Sequence, residues 1–442
     1  MKRFLCAAAC AALLTGCSTV KDVFTSEDDR PLPGTRVSVL EMQRQIEPDD
    51  ATLEAQGFIA PAPWHNEFWP QAGGYPNHAM QNLALNEGEL KKVWSSSIGN
   101  GATKSLPLTA QPIVVDGQVY TLDSESKLSA FNAATGKLLW RKDVSDPAES
   151  DPVISGGVAY SQGQIYVTAG YDEVLALSPA DGSLIWRVRI PAPSRAAPTA
   201  VDGRVFIATL DNRVIALNAT DGQALWEYAG IGESTGLVGA ASPAVSREMV
   251  VPAFSSGEIF ALRVENGSVA WAENLSALSG AGGLSSLSDI HGLPVVDKGL
   301  VIAVSFGGRL VAIDERTGAR VWQREIGGAE TPWVVGNHLF MISTENELVA
   351  LGRDTGAIRW VLKLPRFEDE EEREDPIFWT GPVLAGGRLI IAGTNGDIIE
   401  AAPEDGKIIR TWDISAPVTI SPVVAAGVMY MLDDKGNLTA FQ

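Results

Sequence analysis

The chain has 442 residues, 45% hydrophobic and 20% charged, a composition able to fill a core. Its 54 acidic and 34 basic residues give a formal net charge of −20, which opposes general binding to the phosphate backbone of DNA or RNA. The three cysteines stand at positions 6, 10 and 17, so the rest of the chain carries no disulfide, Cys-ligated zinc, iron–sulfur site or cysteine nucleophile.

Met1, Lys2 and Arg3 give a basic start, and residues 4–14 form an apolar run too short to span a bilayer. The run reads as the core of an export signal. It ends in Leu14-Thr15-Gly16-Cys17, which resembles a bacterial lipoprotein signal, so residues 1–16 are expected to be removed and Cys17 to carry the lipid. Each buried CH₂ contributes about 0.8 kcal/mol, so several acyl chains would anchor firmly and no spanning helix is needed. Ser18 follows the cysteine in place of Asp. The Asp-based inner-membrane retention cue is therefore missing, and the expected location is the outer membrane, facing the periplasm. An ordinary secretory signal with a chance Cys is the alternative.

Residues 17–60 are polar and uneven, which predicts a tether. In residues 61–87 the aromatics Trp64, Phe68, Trp69 and Tyr75 crowd together. Such residues are seldom left in water, so the segment is expected to pack on the domain that follows, with partner binding as the other reading.

A repeat governs residues 88–442. Trp recurs at 94, 140, 186, 226, 271, 322, 360 and 412, at spacings of 46, 46, 40, 45, 51, 38 and 52. Gly136, Gly182, Gly222, Gly267, Gly318 and Gly356 each stand four residues before their Trp, and Ala130, Ala176, Ala216, Ala261, Ala312 and Ala350 ten before. Each Gly follows Asp, Asn or Thr, which are turn pairs with Gly at positive φ. In the third unit, 198–201, 205–209, 213–217 and 223–227 read as four short strands with no room for a helix. Four strands per 40–50 residues fit a propeller blade, whose core forms only between neighbours. All eight Trp are then structural, wedged between sheets.

Trp94 ends a unit whose first three strands are missing, and residues 422–441 supply three strands with no Trp. Residues 90–94 are therefore expected to be the outer strand of the last blade, beside 438–441, closing an all-β ring of eight four-stranded antiparallel blades.

The Trp, Gly and Ala repeat resembles the pyrroloquinoline-quinone-like propeller superfamily. Together with the lipoprotein signal it is similar to the BamB-type outer-membrane assembly lipoproteins. That resemblance implies a non-enzymatic scaffold that binds the periplasmic domains of the barrel-forming subunit, and it leaves contact with nascent outer-membrane proteins open. It also implies a binding surface on two long connections. The one after Trp271 ends in Leu287-Ser288-Asp289-Ile290-His291, similar to a Leu-Ser-Asp-x-Asp phrase whose acids contact the partner; Asp289 matches the first acid, and His291 replaces the second. The one after Trp226 holds Leu237 and Val238 where the family has a leucine–arginine pair.

Other readings have weaker support. Quinoprotein dehydrogenases of the superfamily use an adjacent-cysteine disulfide, which this chain lacks, and no cofactor is expected. The repeats hold only His291 and His338, too few for a multi-histidine metal centre. Ser285, Ser286 and Ser288 lie too close to Asp289 and His291, and lack the turn context, to make a triad. Glycines at 280, 282 and 283 have no Lys-Ser/Thr partner for a phosphate loop. The acidic run 368–375 reads as a solvated loop, with docking of a basic partner or a weak divalent-ion site as alternatives. A lipid-anchored adaptor for another envelope complex is the alternative function.

Overall fold

Short apolar runs between Gly-bearing turns fold into strands of two to seven residues in a computed structural model that describes residues 46–49, 57–148, 151–233, 236–276 and 287–442. Residues 47–442 belong to one unit. Cys17, the glycines at 280–283, Ser285 and Ser286 lie outside the described residues. Among the described residues no helix is long and apolar enough to cross a membrane.

After β1 (Lys92–Ser97), seven four-stranded antiparallel sheets follow in chain order. They are blade 1 (residues 113–143), blade 2 (157–189), blade 3 (199–229), blade 4 (244–274), blade 5 (295–324), blade 6 (333–363) and blade 7 (379–413). Blade 8 takes three strands from residues 423–441, and its outer strand is β1, paired with the strand Asn437–Phe441. The expected eight-bladed ring and its closure by the N-terminal strand are both present. Middle strands are buried on both faces because neighbouring blades cover them, so they read as near-continuous apolar runs.

One interaction repeats around the ring. Ala130, Ala176, Ala216, Ala261, Ala312, Ala350 and Ala440 pair with Trp140, Trp186, Trp226, Trp271, Trp322, Trp360 and Trp94. A bulge one residue before each Trp turns the ring toward the next blade. The indole N–H then donates across the junction to a turn carbonyl, at 2.7–3.1 Å: Trp94 to Ala133, Trp140 to Pro179, Trp186 to Ala219, Trp226 to Val264, Trp271 to Glu315, Trp322 to Arg353 and Trp360 to Pro403. The turn's Gly lies on the ring. A Cβ at Gly136, Gly182, Gly222, Gly267, Gly318, Gly356 or Gly406 would come within 2.5–2.8 Å of a Trp side chain.

Trp412 breaks the expected set. The bulge register places Arg410, not Trp412, opposite Glu400 at the Trp–Ala position; Trp412 pairs with Ile398, two residues further along. The reason is topological. The clasp needs the hairpin turn between the third and outer strands of the next blade, and blade 8 has none, because its third strand (Asn437–Phe441) and its outer strand β1 are not consecutive in the chain. An ion-pair network fills this junction. Glu400 takes Arg388 at 2.8 Å and Arg410 at 2.6 Å, and accepts the Trp412 N–H at 2.9 Å. Arg388 also donates to the carbonyls of Asn86 and Gly88 just before β1, and Trp412 packs edge-on against Phe441 of blade 8.

The inner strand of every blade leaves one backbone edge facing the axis. Residues 66–83 run across these edges and bond to all eight blades. Asn66 bonds Val424 and Ala426 of blade 8; Trp69 exchanges two backbone bonds with Val114 of blade 1; the Pro70 carbonyl accepts from Tyr160 of blade 2. Gln71 accepts from Ala200 of blade 3, Pro76 from Val245 of blade 4, and Asn77 from Val296 of blade 5. Gln81 accepts from Trp333 and Gly336 of blade 6, and Leu83 exchanges bonds with Leu384 and Gly386 of blade 7. This segment plugs one mouth of the channel. His78 within it is buried, donates from Nδ1 to the Pro294 carbonyl and has its pKa lowered to about 4, chiefly by burial. Upstream, Asp49 pairs with Arg324 at 2.6 Å and bonds both backbone groups of Ile358 on the outer edge of blade 6.

The acidic run, expected as a loop, folds as an exposed two-stranded hairpin of Phe367–Asp369 and Glu374–Pro376. Its carboxylates cap its own turns: Glu370 accepts from the backbone of Arg366, and Asp369 from those of Glu371 and Glu372.

Two substitutions in blade 3 isolate the clasp. Gly222 and Gly203 both have positive φ, but only Gly222 lies on a Trp. Gly203→Ala should cost about 1 kcal/mol from backbone strain alone. Gly222→Ala should cost about 1–3 kcal/mol more, through overpacking, in urea unfolding. Equal midpoints would remove the clasp from the stability of the ring. At the eighth junction, Glu400→Ala leaves the buried Arg388 and the half-buried Arg410 without their shared carboxylate and should cost about 3–5 kcal/mol; Trp412→Phe, which keeps the aromatic contact, should cost about 1.5–3 kcal/mol for one hydrogen bond to a charged group.

Candidate functional site

Connections from each outer strand to the next inner strand emerge at the mouth opposite the plug. There the ring opens into a funnel of about 720 Å³, floored by Ala72 of the plug and walled by Arg195, His291, Glu330, Thr380 and Thr419. A groove of about 380 Å³ adjoins it over blades 3 and 4, lined by Asn212, Leu237, Phe254, Ser255 and Asp289. Arg195 borders both spaces.

The two long connections meet at this groove. Ile290 is buried in the core between blades 4 and 5, which fixes its neighbours on either side. Asp289 is also buried, and its Oδ2 accepts the Leu237 N–H at 2.6 Å. The Asp289 carbonyl accepts the Phe306 N–H at 2.8 Å. His291 places Nε2 at 2.9 Å from the Val238 carbonyl and Nδ1 at 3.2 Å from the Ala329 carbonyl. Leu237 is half-buried, whereas Val238 is 52% exposed, with the exposed Ile231 in the same connection. Leu287 is half-buried at the edge of the described chain.

The structure thus brings Leu237, Val238, Asp289 and His291 together. The Asp289 carboxylate faces inward, onto a backbone N–H of its own chain. Val238 and Ile231 give this surface exposed apolar side chains, and Glu233 of the same connection is exposed beside them. Among the described residues no cluster of His, Cys, Asp and Glu could hold a metal ion.

Burial raises the pKa of Asp289, opposed by the Leu237 N–H and by His291. Burial likewise raises Glu330, opposed by the Thr380 hydroxyl, His291 and the Gly381 N–H. Thr380 Oγ1 donates to Glu330 Oε2 at 2.8 Å. Sequence reasoning passed over Arg195 and Glu330. The usable signal is position: both lie in connections after a repeat Trp, where the units differ from one another.

A folded-state pKa raised above the unfolded value means that folding takes up a proton as pH falls through it, so stability rises on acidification and falls as pH rises through the raised value. Glu330→Gln keeps an acceptor for Thr380 and removes the half-buried, partly desolvated charge. Its melting temperature at neutral pH should match or exceed that of the parent, and the advantage should shrink as pH falls toward the ordinary glutamate value of 4.5. A constant difference across that range in thermal melts would contradict the burial of a charge at this wall.

A family model described as outer membrane protein assembly factor BamB matches residues 80–160, 152–362 and 368–442. Outer membrane protein assembly factor BamB of Yersinia pestis is 28% identical over 245 residues, covering 55% of this chain and 60% of that protein, less than two thirds of its length. The same factor of Salmonella typhimurium is 28% identical over 389 residues, covering 79% and 88%. Among solved structures, BamB from Moraxella catarrhalis superposes with a TM-score of 0.68 at 21% identity, covering 80% of this chain and all of that one. Quinohemoprotein alcohol dehydrogenase from Comamonas testosteroni superposes with a TM-score of 0.65 at 13% identity, covering 88% and 84%. At these identities the structural matches speak for the fold alone.

Proposed function

The chain belongs to the family of outer membrane protein assembly factor BamB, and we propose that it is a non-enzymatic scaffold of the outer-membrane β-barrel assembly machinery. A lipid on Cys17 holds it to the outer membrane on the periplasmic side. The loops bearing Leu237, Val238, Leu287, Asp289 and His291 dock the periplasmic domains of the barrel-forming subunit. The observation that carries this reading is the clamping of two connections from adjacent sectors into one exposed apolar platform on a rigid rim. A rigid platform loses little conformational entropy on binding, which favours association. With Val238 where the family has a charged residue, the contact relies on apolar burial around Leu237 and Val238, and its affinity should depend weakly on salt at that point.

Affinity purification from detergent-solubilised outer membranes, with mass spectrometry of the partners, tests the assignment. The barrel-forming subunit should co-purify with the lipidated protein, and Val238→Asp should weaken binding to its purified periplasmic domains at least about tenfold, about 1.4 kcal/mol, with a normal melt. Recovery of a different envelope complex would make the chain an adaptor for that machinery. Unchanged affinity in the variant would move the interface elsewhere.

A further inference from the structure

The two connections could meet by simple packing, but the contacts between them are specific. Leu237 and Val238 are held from both sides. Asp289 takes the N–H of Leu237 at 2.6 Å, and His291 lies 2.9 Å from the carbonyl of Val238. These two clamp residues flank Ile290, which is buried in the core between blades 4 and 5. The clamp is therefore continuous with the rigid part of the ring. Both clamp side chains lie close against the glycines that flank the platform. A Cβ on Gly236 would stand 3.0 Å from Asp289 Oδ2, and one on Gly239, whose φ is +108°, would stand 2.8 Å from His291 Nε2.

We infer that Asp289 is a positioning residue for the partner-facing loop: its carboxylate holds the Leu237 amide, and so the Leu237–Val238 pair, in a preset docking conformation and forms no ion pair with the partner. This inference rests on the platform reading above and changes the role that the family resemblance gives to this acid. A carboxylate with its Oδ2 on an internal N–H, in a side chain only 6% exposed, is poorly placed for a partner's Arg or Lys. Loop positioning needs an acceptor oxygen and no charge. Of the charged groups around it, His291 is the ionisable side chain that acts on the carboxylate, Arg195 and Glu233 line the same groove, and Glu330 lies beyond His291 on the funnel wall. His291 complements the clamp. A neutral imidazole donates from one nitrogen and so ties the platform either to its own carbonyl at Val238 or to Ala329 of the next connection; the imidazolium ties both.

Acceptor and charge are separated by two substitutions. Asn supplies an acceptor oxygen in place of Asp289 Oδ2 and carries no charge; Ala supplies neither. Two readouts are taken on the whole lipid-free mature protein. The first is hydrogen exchange of the amides at Leu237 to Ala240 in the protein alone. The second is titration against the purified periplasmic domains of the barrel-forming subunit. Asp289→Asn should keep slow exchange at Leu237 and bind within about twofold of the parent. Asp289→Ala should exchange at least about tenfold faster there and bind about tenfold more weakly. Rescue by Asn is the result that a direct ion pair does not give. If Asn loses as much affinity as Ala while its exchange stays slow, the carboxylate charge touches the partner and the inference is wrong. If Leu237 exchanges equally fast in all three proteins, there is no clamp. Failure of the parent protein to bind these domains would count against the proposed function, while the exchange comparison would still decide the clamp.

Discussion

A Trp ring under the Gly of the neighbouring blade is the contact on which this ring is built. It does three things at one point. The indole buries a large apolar surface between two sheets, its N–H fixes the neighbour's turn in register, and its face excludes a Cβ from that turn. The bulge before each Trp and the Ala opposite it serve the same contact, one by turning the ring and the other by leaving room for it. Seven such clasps join blade 8 to blade 1 and so on round to blade 7. The first of them starts from β1, so the N-terminal strand completes blade 8 by backbone pairing and fastens it to blade 1 with the same Trp.

Closing a ring with the two ends of one chain removes the hairpin that the eighth clasp would need. The junction of blades 7 and 8 is sealed by charge in place of the indole, with Glu400 between Arg388 and Arg410. Arg388 also takes hold of the chain entering β1. The plug then reaches every inner strand from the axis, so clasps outside and the plug inside bind the same eight sheets. What remains free to vary is the set of connections at the open mouth. There two of them are clamped together, with Ile231 and Val238 exposed. A rigid rim with one prepared patch is what a scaffold requires.

The fold was legible because a propeller writes the same contact many times. Trp, Gly and Ala at fixed offsets gave the blade, and the incomplete units at both ends gave the closure. The same regularity misled at Trp412, whose spacing of 52 falls near the others. Gly406 stands six residues before it where the other units have four, which is the trace of the register that puts Arg410 in the clasp position. The site was legible only as a pair of long connections. That Asp289 serves a backbone N–H cannot be read from side-chain identity, since the donor it satisfies is a main-chain amide that every residue type but proline carries. The path of the plug is hidden for the same reason, being built mostly from main-chain groups. The hairpin at 367–376 escaped because a run of acids suggests repulsion, whereas these carboxylates cap the turn they lie in.

In the proposed docking, the barrel-forming subunit meets the open mouth of the ring, at the clamped platform, and not the plugged face. A photo-crosslinking amino acid placed at position 238 on the platform, and separately at Lys298 in an exposed turn on the plugged face, reads this in intact outer membranes. A covalent adduct with the barrel-forming subunit from position 238 and none from position 298 is the expected result. Adducts from position 298 alone, with both proteins anchored and folded, would turn the ring over and contradict it.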